Sequence, residues 1–136
     1  MKKPLFLSGI IILLFSCINS RKLMNNNDIS RIYFGKRGGF TNIPDEYVLF
    51  EKGQLYKIRN DTLLRIHRIS RAQLETIDSL LIDSDFKELS INEYGNITYF
   101  IKVVGNDYEK EANWSDFSEV ENLKKLYNTL LATIIK

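Results

Sequence analysis

Alternation of apolar and polar residues at a period of two dominates the first half of the chain beyond residue 28. Residues 29–34 (ISRIYF), 46–50 (EYVLF), 55–58 (LYKI) and 62–69 (TLLRIHRI) each read as a short strand rich in β-branched and aromatic residues. In the last of these the alternation assigns Leu64 and Ile66 to one face and Arg65 and His67 to the other. A glycine-rich loop, 35–44 (GKRGGFTNIP), separates the first two strands. Gly53 supplies a left-handed residue for the next turn, and Asn60 with Asp61 forms the one after it.

The period then changes to that of a helix. Ser70 and Gln73 are spaced as a capping box, and Leu74, Ile77 and Leu81 follow on one stripe. Residues 83–95 lack periodicity but carry Phe86 and Leu89 as core plugs. Strands at 97–104 and 108–114 form a hairpin, and its Gly105-Asn106 pair predicts a type II′ turn with glycine first. Asp116 and Glu119 make a second capping-box pattern, after which Val120, Leu123, Tyr127, Leu130, Leu131 and Ile134 line one face of a terminal helix. The order ββββ-α-ββ-α predicts an α+β fold, an antiparallel sheet of about six strands with two helices packed on one face.

The first 27 residues have a different character. Lys2 and Lys3 precede an apolar run, 4–16, broken only by Ser8 and Gly9. Thirteen helical residues reach roughly 20 Å, short of the ~30 Å hydrocarbon core that a spanning helix must cross. The run therefore reads as a signal peptide (1–16) rather than an anchor helix. Residues 17–27, polar and containing NNN at 25–27, read as a tether, and 28–136 as one domain. The stretch LLFSC, with Leu14 at −3, Ser16 at −1 and then Cys17, resembles the lipobox of bacterial lipoproteins. That resemblance implies cleavage before Cys17, a diacylglyceryl thioether on it and attachment to the lipid bilayer. Cys17 is also the sole cysteine, so it has no disulfide partner within the chain. Ile18 follows it where an Asp often retains lipoproteins in the inner membrane, which leads to an expected location at the outer membrane, facing the periplasm.

Composition removes several function classes. Without Lys2 and Lys3 the chain holds 17 basic and 17 acidic side chains, so a nucleic-acid role has no electrostatic support. The charges are unevenly spread: residues 18–71 carry eleven Lys or Arg against five Asp or Glu, and 72–136 carry six against twelve. Oppositely charged segments pairing with one another, or interleaving in the sheet, would erase that asymmetry.

Chemistry-bearing patterns are few. His67 is the only histidine and lies in a strand beside Arg65 and Arg68, which favours a solvated sheet-face residue over a general base. The sequence contains no G-x-S-x-G elbow, and GKRGGF lacks the spacing and ending of a P-loop. Asp83 with Asp85, and Glu109 with Glu111, are acidic pairs; the latter share a strand face. Acid–base catalysis would need a pocket as well, so no catalytic residue, metal or cofactor is expected. Tyr47, Tyr56, Tyr99, Tyr108 and Trp114 distribute through the strands as core or cross-strand pairs.

The candidate binding surface is loop 35–44. Gly38 and Gly39 free its backbone, Lys36 and Arg37 present charge, and Phe40 either projects or folds back into the core. The GGF turn and the element order resemble the emfourins, small bacterial metallopeptidase inhibitors. The wider pattern Gly38, Gly39, Phe40, Thr41, Tyr47, Leu49, Gly53 and Leu55 is similar to small envelope lipoproteins of no known activity. The expected function is thus an anchored envelope lipoprotein with a non-catalytic domain that binds a protein or ligand partner. Peptidase inhibition and a hydrolase with a carboxylate site are the alternatives.

Overall fold

A computed structural model describes residues 29–136; the signal peptide, Cys17 and the tether lie outside the described residues. Six strands, β1 (Ile29–Gly38), β2 (Asp45–Phe50), β3 (Gln54–Arg59), β4 (Thr62–Arg68), β5 (Ile97–Gly105) and β6 (Glu109–Ser115), form one antiparallel sheet in the order β4-β3-β2-β1-β5-β6. Helices α1 (Arg71–Asp83) and α2 (Glu121–Ala132) lie against one face and touch each other. This is the expected α+β arrangement. The first four strands sit together on one side of the sheet, so the basic and acidic halves of the sequence are not interleaved.

Cross-strand register separates the faces. Ile32, Phe34, Tyr47, Leu49, Leu55, Ile101, Val103, Ala112 and Trp114 point to the helix side and pack with Ile77, Leu81, Leu123, Leu126, Tyr127 and Leu130. Phe86 is buried and Leu89 half-buried against the same core, which pins the irregular stretch after α1. The Ser70–Gln73 capping box forms in both directions: Ser70 Oγ accepts from the Gln73 N–H (3.2 Å), and Gln73 Oε1 accepts from the Ser70 N–H (2.9 Å). Asn60 and Asp61, at φ +49° and +60°, make the two-residue turn between β3 and β4, and Gly53 takes φ +89° as its turn requires.

Four local expectations are corrected. β1 runs through Lys36 and Arg37 to Gly38, because β5 pairs with it along that length, so the loop shrinks to residues 39–44. The β5–β6 turn rests on Asn106 and Asp107, with the Gly105 N–H donating to Tyr108 O (2.8 Å); Gly105 is not among the positive-φ residues. The second capping box does not form. α2 starts at Glu121 behind Val120, which gives no side-chain cap, while Asp116 faces the Tyr99 hydroxyl instead. Finally, a bulge in β4 pairs Tyr56 with Arg65 but Leu55 with His67. The extra residue, Ile66, inverts the parity, so His67 turns to the helix side with Leu55 while Arg65 stays on the open side. His67 Nε2 is buried there without a hydrogen-bond partner, and His67 is no solvated residue of the open face.

Candidate functional site

The strand ends opposite the entry of β1 gather four of the eight exposed large apolar side chains among the described residues. Phe40 (107 %), Phe117 (94 %), Ile43 (72 %) and Tyr94 (68 %) stand in solvent, on loops that flank the ends of β1, β5 and β6. Isolated exposed apolar residues are ordinary on a protein surface, whereas a group of them on adjoining loops makes this rim the candidate interaction surface.

Each projection has a local cause. Gly39-Phe40-Thr41-Asn42 is a tight turn closed by the Asn42 N–H on Gly39 O (3.2 Å), which leaves Phe40 at its corner. Ser115-Asp116-Phe117-Ser118 is built alike: the Ser118 N–H bonds to Ser115 O (3.1 Å), and Ser118 Oγ accepts from the Ser115 N–H (3.0 Å). Phe117 occupies that corner. The segment carrying Tyr94 laces the two turns together, because the Gly39 N–H donates to Asn96 O (2.8 Å) while Ser118 Oγ donates to the Glu93 carboxylate. Gly38 permits the approach: at φ +89°, a Cβ there would lie 2.4 Å from Asn96 O. The aromatic corners are therefore mounted on a cross-linked backbone.

The sequence-level candidates divide. Phe40 is fully exposed and does not fold back into the core. Lys36 and Arg37 occupy consecutive strand positions and point to opposite faces, so they do not act as one basic patch. Arg37 is engaged. Its Nε bonds Glu46 Oε1 (2.6 Å), its Nη1 lies 3.4 Å from Glu111 Oε1, and its guanidinium sits 3.9 Å above the Phe100 ring. Lys36 lies on the helix side between Asp45 and Tyr99 in the register. Periodicity does not reveal Tyr94, Phe117 or Ile43, because corner residues follow no repeat. A Phe flanked by turn-forming Ser and Asp was the available signal at Phe117.

Behind the rim lies a polar cluster. Lys57 Nζ (3.0 Å) and the Tyr47 hydroxyl (3.0 Å) both bond Asp45 Oδ1. Burial works against ionisation of Asp45, but the hydrogen bonds from Lys57 and Tyr47 outweigh it and hold its pKa below the usual value. The hydrogen bond to Asp116, with burial, raises the Tyr99 pKa, and burial raises that of Tyr127, whose ring meets Tyr99 edge-on at 5.5 Å. Both shifts favour the protonated phenol. Beside Ile43 an open cleft of about 770 Å³ passes Asp45, Lys57, Arg59 and Asp61.

The acidic pairs are occupied or scattered. Glu109 bonds Lys102 Nζ (2.6 Å) and Glu111 faces Arg37, both on the open side of the sheet. Among the described residues no group of three or more His, Cys, Asp or Glu could hold a metal, and no helix is long and apolar enough to cross a membrane. No protein-family model matches the chain, and no curated protein matches it significantly.

Proposed function

We propose that the chain is a cell-envelope lipoprotein, anchored through an acylated Cys17 and acting as a non-catalytic binding module. The observation that carries this reading is the rim of Phe40, Ile43, Tyr94 and Phe117, held on laced turns at the end of the sheet away from Ile29, where the tether joins. The tether joins at the Ile29 end of β1, so the rim lies at the end of the domain remote from the anchor, where a protein partner in the periplasm would meet it. Aromatic side chains presented on a rigid backbone suit such contacts because they bury large areas at small entropic cost.

A photo-crosslinking residue at Phe40 or Phe117 in the full-length lipoprotein should give one discrete adduct in cells, and the same residue at Lys125 should give none. Adducts of equal yield from all three positions sink the rim. In the same strain, Cys17→Ser should leave the protein unlipidated and release it from the membrane fraction.

Peptidase inhibition is the narrower reading, favoured by one observation: Phe40 projects fully exposed from the corner of the turn that follows Gly38, the shape of a residue that enters a substrate cleft. Stoichiometric loss of turnover by a secreted zinc metallopeptidase, relieved by Phe40→Ala, would establish it.

A further inference from the structure

The two edges of the sheet are finished differently. At β6 the segment 91–93 runs alongside and uses the edge: the Asn113 N–H donates to Ile91 O (3.1 Å), the Glu93 N–H donates to Asn113 O (2.9 Å), and Asn113 Nδ2 bonds Asn92 Oδ1 (3.0 Å). No described segment covers β4. The two-residue turn at Asn60-Asp61 makes Arg59–Thr62 and Lys57–Leu64 the mutually bonded pairs of the β3–β4 ladder. The N–H and C=O groups of Leu63 and Arg65 consequently point outward, along an unpaired edge.

Three features decide what would pair there. Leu63 and Leu64 are exposed, on opposite faces of the strand, so an added strand would find apolar contact on both sides. Arg65 projects on the same face as Leu63 and, with Arg59, has no ion-pair partner among the described residues. Between Arg59 and Arg68 the chain holds three arginines and one carboxylate, Asp61. A second β4 is the poorer match, because each copy would bring the same net positive edge, three arginines against one carboxylate, to the shared ladder, whereas an acidic strand neutralises it.

We infer that β4 is a docking edge for an extended acidic segment of a partner protein, which adds as a seventh strand. Backbone bonds to Leu63 and Arg65 provide the pairing. An apolar residue opposite Leu63 and a carboxylate opposite Arg65, two positions along, provide the selection. This inference stands apart from the rim, since it rests on an edge and on charge rather than on exposed aromatic corners.

The test uses the full chain in detergent micelles and a fluorescent ten-residue peptide of the repeat Val-Thr-Glu-Thr, which sets Val and Glu two positions apart on one face. Support requires saturable, salt-sensitive binding with slowed amide exchange at Leu63 and Arg65. It also requires an affinity loss of about tenfold or more with Arg65→Glu, recovered by a peptide of the repeat Val-Thr-Lys-Thr. The same Val/Glu peptide N-methylated at alternate amides should fail to bind. Absence of binding, equal affinity for Arg65→Glu, protection at β6 instead, or a concentration-dependent doubling of mass that excludes the peptide each overturns it. Because Arg65 is exposed, the fold of Arg65→Glu is confirmed by an unchanged melting temperature. A second variant, Leu63→Pro, removes an outward N–H and should abolish binding whatever the charge.

Discussion

On the helix-covered face of the sheet, Phe34, Leu49, Ile101 and Trp114 are shielded by two amphipathic helices. On the open face, Val48 and Phe100 are just as inaccessible (1 % each), with no helix above them. Their cover is a layer of long side chains. Arg37 lies flat on Phe100 between Glu46 and Glu111, while Arg31 and Lys102 flank the Tyr33 ring at 5.9 Å. Charged side chains can bury apolar surface with their stems and planes while their ends stay wet. A deletion on the covered face leaves a void enclosed by rigid elements. On the open face, water and mobile side chains can fill the gap.

The largest expected effect follows from that contrast. Trp114→Ala should cost about 3–5 kcal/mol, from lost contacts with Tyr99 and Tyr127 and from the cavity left behind. Phe100→Ala should cost clearly less, about 2 kcal/mol, because it loses transfer free energy without trapping a void. Urea unfolding of both variants measures the difference, and equal losses would show that the open face is as rigid as the covered one.

Charge sharpens the comparison. Acids on the open face meet cations, but Asp78 of α1 is buried, with Leu74, Ile77, Arg31 and Glu51 around the same recess. Burial first, and the nearby Glu75 second, push its pKa up to about 6. The folded protein thus holds a proton at Asp78 that the unfolded chain releases above about pH 4. Stability should fall as pH rises from about 4 through 6, by on the order of 2–3 kcal/mol from this group. Asp78→Asn should remove that component and be the more stable protein at neutral pH. Denaturation curves of both proteins at about pH 4.5 and about pH 7.5 test the sign; a wild type that gains on Asp78→Asn as pH rises contradicts it.

The smallest effect concerns the cover itself. Arg37→Ala should cost about 1 kcal/mol, the scale of one partly exposed cation–π contact, and should slow no association at the rim. If it abolishes the Phe40 adduct while the fold survives, Arg37 serves binding after all.

Much of the architecture was legible because burial imposes a period. The α1 stripe, the capping box at Ser70 and the turns at Gly53 and Asn60-Asp61 all depend on near neighbours in sequence, and each forms as expected. Errors came where a distant partner decided. β1 extends through Gly38 because β5 lies beside it, and Asp116 does not cap α2 because the Ser115–Ser118 turn takes it and the helix begins only at Glu121. Leu126, fully buried, joins the terminal-helix stripe three residues after Leu123 and four before Leu130, a position absent from the expected face. The single extra residue at Ile66 moved His67 from the open face to the covered one, which no count of alternating positions can register.

The site divides in the same way. The sequence alone determined that a glycine-flanked Phe40 sits in a loop, that the chain lacks a recognisable catalytic set, and that its halves carry opposite charge. Tertiary structure decided which residues join Phe40, that Lys36 and Arg37 face apart, and that the charge asymmetry survives as a basic edge at β4. Local conformation follows from steric and hydrogen-bonding preferences within a few residues. Neighbourhood at a sheet end follows from strand order and register, which are fixed only when the whole apolar face is buried at once.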